Sequence, residues 1–427
     1  MGKFKFYLLL LSCFGVFVPS WASEIKIFSL IDEAGTSTQT LVVKESPNES
    51  NGQTPTACRF NYPNPASVSK DTIIWAFAAS TTDASPVAFY PEWRKKVWRL
   101  AQWNSEFTFC DDNTTTERTA TRFTLSNSGN EATPSMKLLL DKNFVIMSLR
   151  SISHWSHLFG NQLYYRKATE KHWPAMLLSK QYTKLNLTEY SKLKLTFKGE
   201  LRLAQTVTNT LPSSPSMPSN AQTTYQSQLH GTQFRVFLPL EWNDYANRCT
   251  SASKPLYCKS RQGKAFHFGF QIYDDRFNYT QTSSMLDIGT NMMMYGKNLK
   301  DIINNNSISA TAAPATNPYT VLNDNYTFVV DILPAMKEAI LALEKKQLGL
   351  PPSGVITLAL IDAYTTLPRA QQLFPVRLKK RNGSLETDDE YIKHFYNSTV
   401  NIGYEVPGLS HVQFKIDKFI MEGILEE

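Results

Sequence analysis

The stretch Gly263-Lys-Ala-Phe-His-Phe-Gly-Phe-Gln-Ile-Tyr-Asp-Asp275 decides the fold. Phe266, Phe268, Phe270 and Ile272 recur at every second position, and His267, Gly269, Gln271 and Tyr273 fall between them. A period of two belongs to a pleated strand with unlike faces, one for the core and one for solvent or a ligand. The second face carries His, Gln and Tyr and runs into Asp274 and Asp275, groups that hydrogen-bond to and stack on polyhydroxylated molecules such as sugars.

The same pattern extends outward in both directions. Residues 233–241 alternate Phe234, Val236 and Leu238 against Arg235, Phe237 and Glu241, and residues 192–206 set Leu193, Leu195, Phe197, Leu201 and Leu203 against a charged face. Further strands are expected at 24–31, 38–44, 72–78, 136–140, 143–149, 326–332, 355–362, 399–407 and 412–420. Residues 91–101 have helical spacing at Trp93, Val97 and Leu100, and 111–121 reads as polar loop. One segment, 333–348, is a clear helix: Pro334 stands in its first turn, Met336, Ile340 and Leu343 form a stripe, and Gly349, Pro351 and Pro352 end it. With no repeat, no heptads and no sustained βαβ alternation, the class is mainly β, an antiparallel sandwich with one substantial helix.

The first 22 residues read as a cleavable signal peptide. Lys3 and Lys5 precede an apolar run, and Ser20-Trp21-Ala22 supplies the small-x-small cleavage pattern. That run is too short to span a bilayer, and no later stretch approaches eighteen apolar residues, so a secreted, periplasmic or extracellular protein without an integral span is expected. Cleavage removes two lysines and lowers the formal charge from +7 to +5. The densest basic cluster, residues 377–381, lacks interleaved aromatics, so no nucleic-acid partner is expected. Cys13 leaves with the signal peptide. An exported protein pairs its remaining cysteines, and Cys249 with Cys258 and Cys58 with Cys110 are the expected disulfides among three possible connectivities. Eight N-x-S/T triplets, among them Asn382 and Asn397, bear glycans only in a eukaryotic setting, which the sequence does not specify.

Residues 23–135 form an N-terminal β-rich region, either a lobe or an extension of the sandwich, and 136–427 hold the main sandwich with a long 211–231 crossover loop. Residues 266–274, 401–408 (Asn-Ile-Gly-Tyr-Glu-Val-Pro-Gly) and 412–420 resemble secreted jelly-roll sandwiches of the carbohydrate-binding-module and concanavalin-like lectin and glycanase kind. The resemblance covers roughly 136–427 and is one of strand pattern. It implies glycan held on a concave sheet face or at loop tips, although such folds usually lack a helix like 333–348.

Arg235, Phe237, His267, Gln271, Tyr273, Asn401 and Glu405 gather on one surface if the polar faces of neighbouring strands are shared. The competing reading is an ordinary solvated sheet face. Glycoside hydrolysis needs two carboxyls about 5–9 Å apart, and Glu405, Glu241 and Asp274 are the candidates. A lyase would use Tyr273 or His267 as base, with Arg235 neutralising a uronate. Asp274, Asp275 and Asn278 are oxygen donors of the kind that suits Ca2+, without the spacing of a known calcium loop, and no other cofactor is expected. His154, His157 and His172 suit a packed turn better than a metal site. No phosphate loop, G-x-S-x-G elbow or H-E-x-x-H is present. The leading expectation is a lectin-like glycan-binding protein. A glycan-cleaving enzyme on the same scaffold is the alternative, and a structural or adhesive surface protein the third reading.

Overall fold

A computed structural model describes residues 24–30, 42–45, 73–78, 98–103, 109, 114–118, 122–127, 135–141, 143–150, 175–206, 233–243, 249, 258, 265–274, 282–287, 292–312, 324–347, 374–375, 377–405 and 410–426. The signal peptide, the 211–231 crossover, the 355–362 segment, Cys58, Cys110, Asp275, Asn278 and the three histidines at 154, 157 and 172 lie outside them.

In chain order the strands are β1 (Glu24–Ser29), β2 (Val42–Glu45), β3 (Ile73–Ala78), β4 (Trp98–Trp103), β5 (Thr114–Arg118), β6 (Arg122–Asn127), β7 (Met136–Asp141), β8 (Val145–Arg150) and β9 (Ala175–Asn186). They continue with β10 (Tyr190–Thr206), β11 (Gln233–Trp242), β12 (Ala265–Asp274), β13 (Ser283–Asp287), β14 (Met292–Lys297), β15 (Ser307–Ala312), β16 (Asp324–Asp331), β17 (Phe395–Glu405) and β18 (Ser410–Leu425). Helices α1 (Leu299–Asn306), α2 (Leu333–Gln347) and α3 (Asp388–Ile392) complete the described elements.

These strands make two sheets. The first runs β15-β16-β10-β18-β8-β7-β6-β5, with β1 on the far half of β18, and the second runs β13-β14-β12-β11-β17-β9-β4-β3-β2. All described pairs are antiparallel except β12 with β14. Strands from the N-terminal region enter both sheets: β1 pairs β18, β6 pairs β7, and β4 pairs β9. The ambiguous segment at 91–101 ends in strand, over residues 98–103. One sequence expectation fails here: 114–118, expected as loop, form an edge strand whose Thr115 hydroxyl meets that of Ser126 at 3.2 Å. Threonine ladders suit a pleat as well as a loop does, so polarity alone misleads.

The alternating apolar residues of both sheets meet in one core. Phe234 stacks on Phe414 at 4.4 Å across the sandwich, the Tyr404 hydroxyl donates to the Met147 carbonyl at 3.0 Å, and Trp98 Nε1 donates to the Ser29 carbonyl at 3.2 Å. Helix α2 touches β10 of one sheet and β14 of the other. Its Leu333, Ala335, Met336, Ala339, Ile340 and Leu343 belong to the same core, which is why the sequence stripe is helical here. Asp331 Oδ1 accepts from the amides of Leu333 and Leu193 at 3.0 Å each, tying the start of the helix to β10. Cys249 and Cys258 are disulfide-bonded, as their spacing predicts.

Candidate functional site

The outward faces of the two sheets differ. On the first sheet Lys192, Lys198, Arg202 and Lys418 are exposed, and Lys194 bridges Glu24 and Glu422 while Lys415 pairs with Asp417 at 2.5 Å. This is an ordinary solvated face. On the second sheet Arg235, Pro239, Glu241, His267, Gln271 and Asn401 are all half-buried and Phe237 is 6% exposed.

Register shows which of these residues stand side by side. One row of partners crosses six strands as Ser283, Gly296, Gly269, Phe237, Asn401 and Ser179. Apart from Phe237 these side chains are short or absent, while the rows beside them hold Gln271 and Arg235 on one flank and Met294, His267 and Pro239 on the other. These mostly short side chains form a row across the sheet that spans about 24 Å over five inter-strand spacings. Glycine at 269 is required: a Cβ there would lie 2.8 Å from Phe237 Cδ1 and from the Val236 carbonyl oxygen. Gly403, at φ +156°, lies beside Arg235 where a Cβ would approach the Met176 carbonyl to 2.1 Å.

The floor is a stack of three groups. The Arg235 guanidinium lies over the Phe237 ring at 4.7 Å, and the His267 ring meets Phe237 edge-on at 5.8 Å. Phe237 is therefore a support for Arg235 and not an open platform for a ring. Gln271 stands opposite Arg235, and its Oε1 is buried with no hydrogen-bond partner among the described residues. An orphaned buried acceptor costs roughly 1–3 kcal/mol, so a donor supplied from outside the chain is favoured there.

Of the seven expected ligand residues, Arg235, Phe237, His267, Gln271 and Asn401 do come together on this face. Tyr273 does not. The pairing of β11 with β12 slips between Phe234 and Arg235, so that Tyr273 opposes Phe234 and is nearly buried in the core. A one-residue bulge reverses the alternation beyond it. Tyr273 is therefore neither a stacking platform nor a lyase base. Glu405 is described only by its place in β17, opposite Gln233.

The expected pairing of Glu241 with Glu405 is also overturned. Glu241 stands opposite Tyr396, eight residues along β11 from the Gln233 that Glu405 faces, which is about 26 Å of strand. Glu241 instead accepts from the hydroxyls of Tyr396 and Ser398 at 3.0 Å each. Burial and this carboxylate push the Tyr396 hydroxyl well above its ordinary value. Asp274 is likewise distant from Glu241, but it occupies the same row as Glu405: both stand opposite Gln233, one on each side.

Asn397, which sequence reasoning took only as an N-x-S/T triplet, fills a second bulge. Its Nδ2 donates to the carbonyls of Pro239 at 2.6 Å and Thr399 at 3.0 Å, and its Oδ1 accepts from Tyr182. Fully buried, it carries no glycan in the folded chain. Two glycines whose role the sequence reading missed, 269 and 296, stand in one row with Phe237, Gly269 beside Phe237 and Gly296 beside Gly269, which no local pattern reveals. Arg377 of the basic cluster is nearly buried and pairs with Glu344 of α2 through Nε at 2.9 Å and Nη2 at 3.0 Å. Among the described residues no group of three His, Cys, Asp or Glu side chains is placed to hold a metal, and no helix is long and apolar enough to cross a membrane.

Fold and face together define a two-sheet β-sandwich with a half-buried polar face on one sheet. No family model and no curated protein matches the chain by sequence. Among solved structures it is similar to a family 12 xyloglucanase from Bacillus licheniformis, with 9% identity, 75% of this chain and 98% of that chain covered, and a TM-score of 0.27. It is also similar to an endoglucanase from Rhodothermus marinus (8% identity, 77% and 92% covered, TM-score 0.25). The xyloglucanase domain of a type three effector from Sinorhizobium fredii is a third (9% identity, 72% and 96% covered, TM-score 0.23). What this chain does is argued below from its own residues.

Proposed function

We propose that this protein is exported and binds a glycan chain along the row of short side chains that crosses its second sheet. The observation that carries the reading is the buried Gln271 Oε1, unpartnered among the described residues, beside a row of minimal side chains. A hydroxyl donor reaching that oxygen relieves its desolvation, and a polymer of hydroxylated rings offers such donors repeatedly along a channel. Arg235 contributes guanidinium donors, Asn401 an amide with both donor and acceptor, and His267 a ring nitrogen. Because Arg235 covers Phe237, recognition on this face is by hydrogen bonding more than by stacking on that ring. The test is a glycan array followed by calorimetry on the hits. Saturable binding that is lost in Asn401→Ala and Gln271→Met supports the reading. A protein that retains no glycan is a structural or adhesive sandwich, and the proposal is wrong.

A second reading, cleavage of the bound glycan, is favoured by the row Asp274, Gln233, Glu405. Two strand spacings put the backbones at 274 and 405 about 10 Å apart, and glycosidases hold their two carboxyls about 5–9.5 Å apart. Release of reducing ends by the wild type, abolished in both Asp274→Asn and Glu405→Gln while calorimetric binding persists, identifies an enzyme. Binding without release leaves the lectin-like reading alone.

A further inference from the structure

The chain contains two Asn-Gly pairs, of which Asn382-Gly383 lies among the described residues. It forms the tip of a tight hairpin. The Glu386 amide donates to the Leu378 carbonyl at 3.1 Å, the Lys380 amide to the Ser384 carbonyl at 2.7 Å and the Gly383 amide to the Lys380 carbonyl at 2.9 Å. Gly383 takes φ +85°, the left-handed conformation that glycine adopts without strain. Residues 381–384 are all exposed, and a Cβ added at Gly383 would meet nothing nearer than Lys379 Cε at 4.0 Å, so the glycine is open to approach. The Asn382 side chain is held by its oxygen: Oδ1 accepts from the Ser384 amide at 3.1 Å and from the Ser384 hydroxyl at 2.7 Å.

Two donors on Oδ1 draw electrons from Cγ and stabilise the oxyanion that forms when a nucleophile adds there. We propose that Asn382 is a deamidation site of the folded protein, with the Gly383 backbone nitrogen as nucleophile. Hydroxide from solvent removes the Gly383 amide proton, the nitrogen adds to Asn382 Cγ, and the Ser384 amide and hydroxyl hold the resulting oxyanion. Collapse expels Nδ2 as ammonia, with a proton from water, and leaves a cyclic imide. Water then opens the ring at either carbonyl, giving aspartate or isoaspartate with no oxidant or reductant. In the closed turn the Gly383 N–H is engaged by Lys380, so the reacting form is the opened hairpin. The bonds from Ser384 to Oδ1 span two residues and do not depend on the rest of the hairpin. Asn397, which also precedes a small residue, Ser398, is fully buried with its Nδ2 donating to two carbonyls, and is protected. Conversion puts a new carboxylate next to Lys379, Lys380 and Arg381, and the isoaspartyl form adds a methylene to the main chain of the hairpin. No residue of the glycan reading takes part, so the two stand or fall separately.

The test is peptide mapping by mass spectrometry of the mature protein, made in a bacterial periplasm so that no N-glycan occupies Nδ2, during incubation at physiological temperature across a neutral-to-alkaline pH series. The wild type is expected to accumulate aspartate and isoaspartate at position 382, faster as the pH rises because more of the amide nitrogen is deprotonated, while Asn397 stays intact. Labelling with a protein isoaspartyl methyltransferase reads the isoaspartate independently of mass. Ser384→Ala removes the hydroxyl donor and is expected to slow conversion by about threefold or more, and Ser384→Thr, which keeps that donor, to retain the wild-type rate. A synthetic peptide covering residues 379–385 has the motif without the hairpin and serves as the reference for the incubation. A wild type that stays intact at 382 over the time in which the peptide converts, or a Ser384→Ala variant that converts as fast as the wild type, overturns the proposal.

Discussion

Gln271 joins stability to binding at a single atom. Its buried Oε1 lacks a partner among the described residues, so replacing the amide by the isosteric, apolar methionine removes a desolvation cost while deleting the acceptor. Gln271→Met is expected to raise the melting temperature by a few degrees, equivalent to about 1 kcal/mol, and to weaken glycan binding; calorimetry and thermal melts on one preparation check both. Tyr273→Phe, at a residue the sequence had assigned to the ligand face, is expected to leave binding unchanged. His411 gives a pH signature. Burial, with help from Arg150, pushes its imidazole down to about 4 from 6.5, and Ser148 Oγ lies 3.3 Å from Nε2. Below pH 6.5 the unfolded chain takes up a proton that the folded chain refuses until about pH 4, so stability falls as the pH is lowered through that window. His411→Gln is expected to flatten the melting temperature between pH 6.5 and 4.

At the scale of elements, α2 and the segment leading into β17 are held by one buried charge pair. Burial raises the Glu344 carboxyl and Arg377 opposes that rise, while the guanidinium also donates to the Glu386 carbonyl at 2.9 Å and pairs with Asp388 at 2.5 Å. Removing one partner strands the other charge in the core, so Glu344→Ala is expected to cost about 3–5 kcal/mol by denaturant melt. The double change to Glu344→Met with Arg377→Met should cost less than the single one, because no charge is left behind. The bulge in β17 depends on Asn397, whose side chain supplies the bonds that the displaced ladder cannot. The helix was legible because its stripe, proline start and glycine-proline stop are local features. Neither bulge was, since a bulge is defined by the partner strand and not by the strand that carries it.

For the molecule as a whole, strands β1 to β6 from the N-terminal region are woven into both sheets. A chain beginning at residue 136 would lose β1, β4 and β6 and bare the edges of β9 and β7 together with half of β18. Such a chain is expected to aggregate on expression, and size-exclusion chromatography against the full chain decides it. The sequence by itself determined the pleated period, the single long helix, the local disulfide and the identity of most polar residues on one face, because each is written in the spacing of near neighbours. Tertiary structure alone decided which of those residues meet. It moved Tyr273 into the core, set Glu241 about 26 Å of strand away from the Asp274 and Glu405 row, and aligned glycines from two strands in one row with Phe237. Register between distant segments is fixed by the shared core and by bulges, and a one-residue slip there reassigns every side chain beyond it.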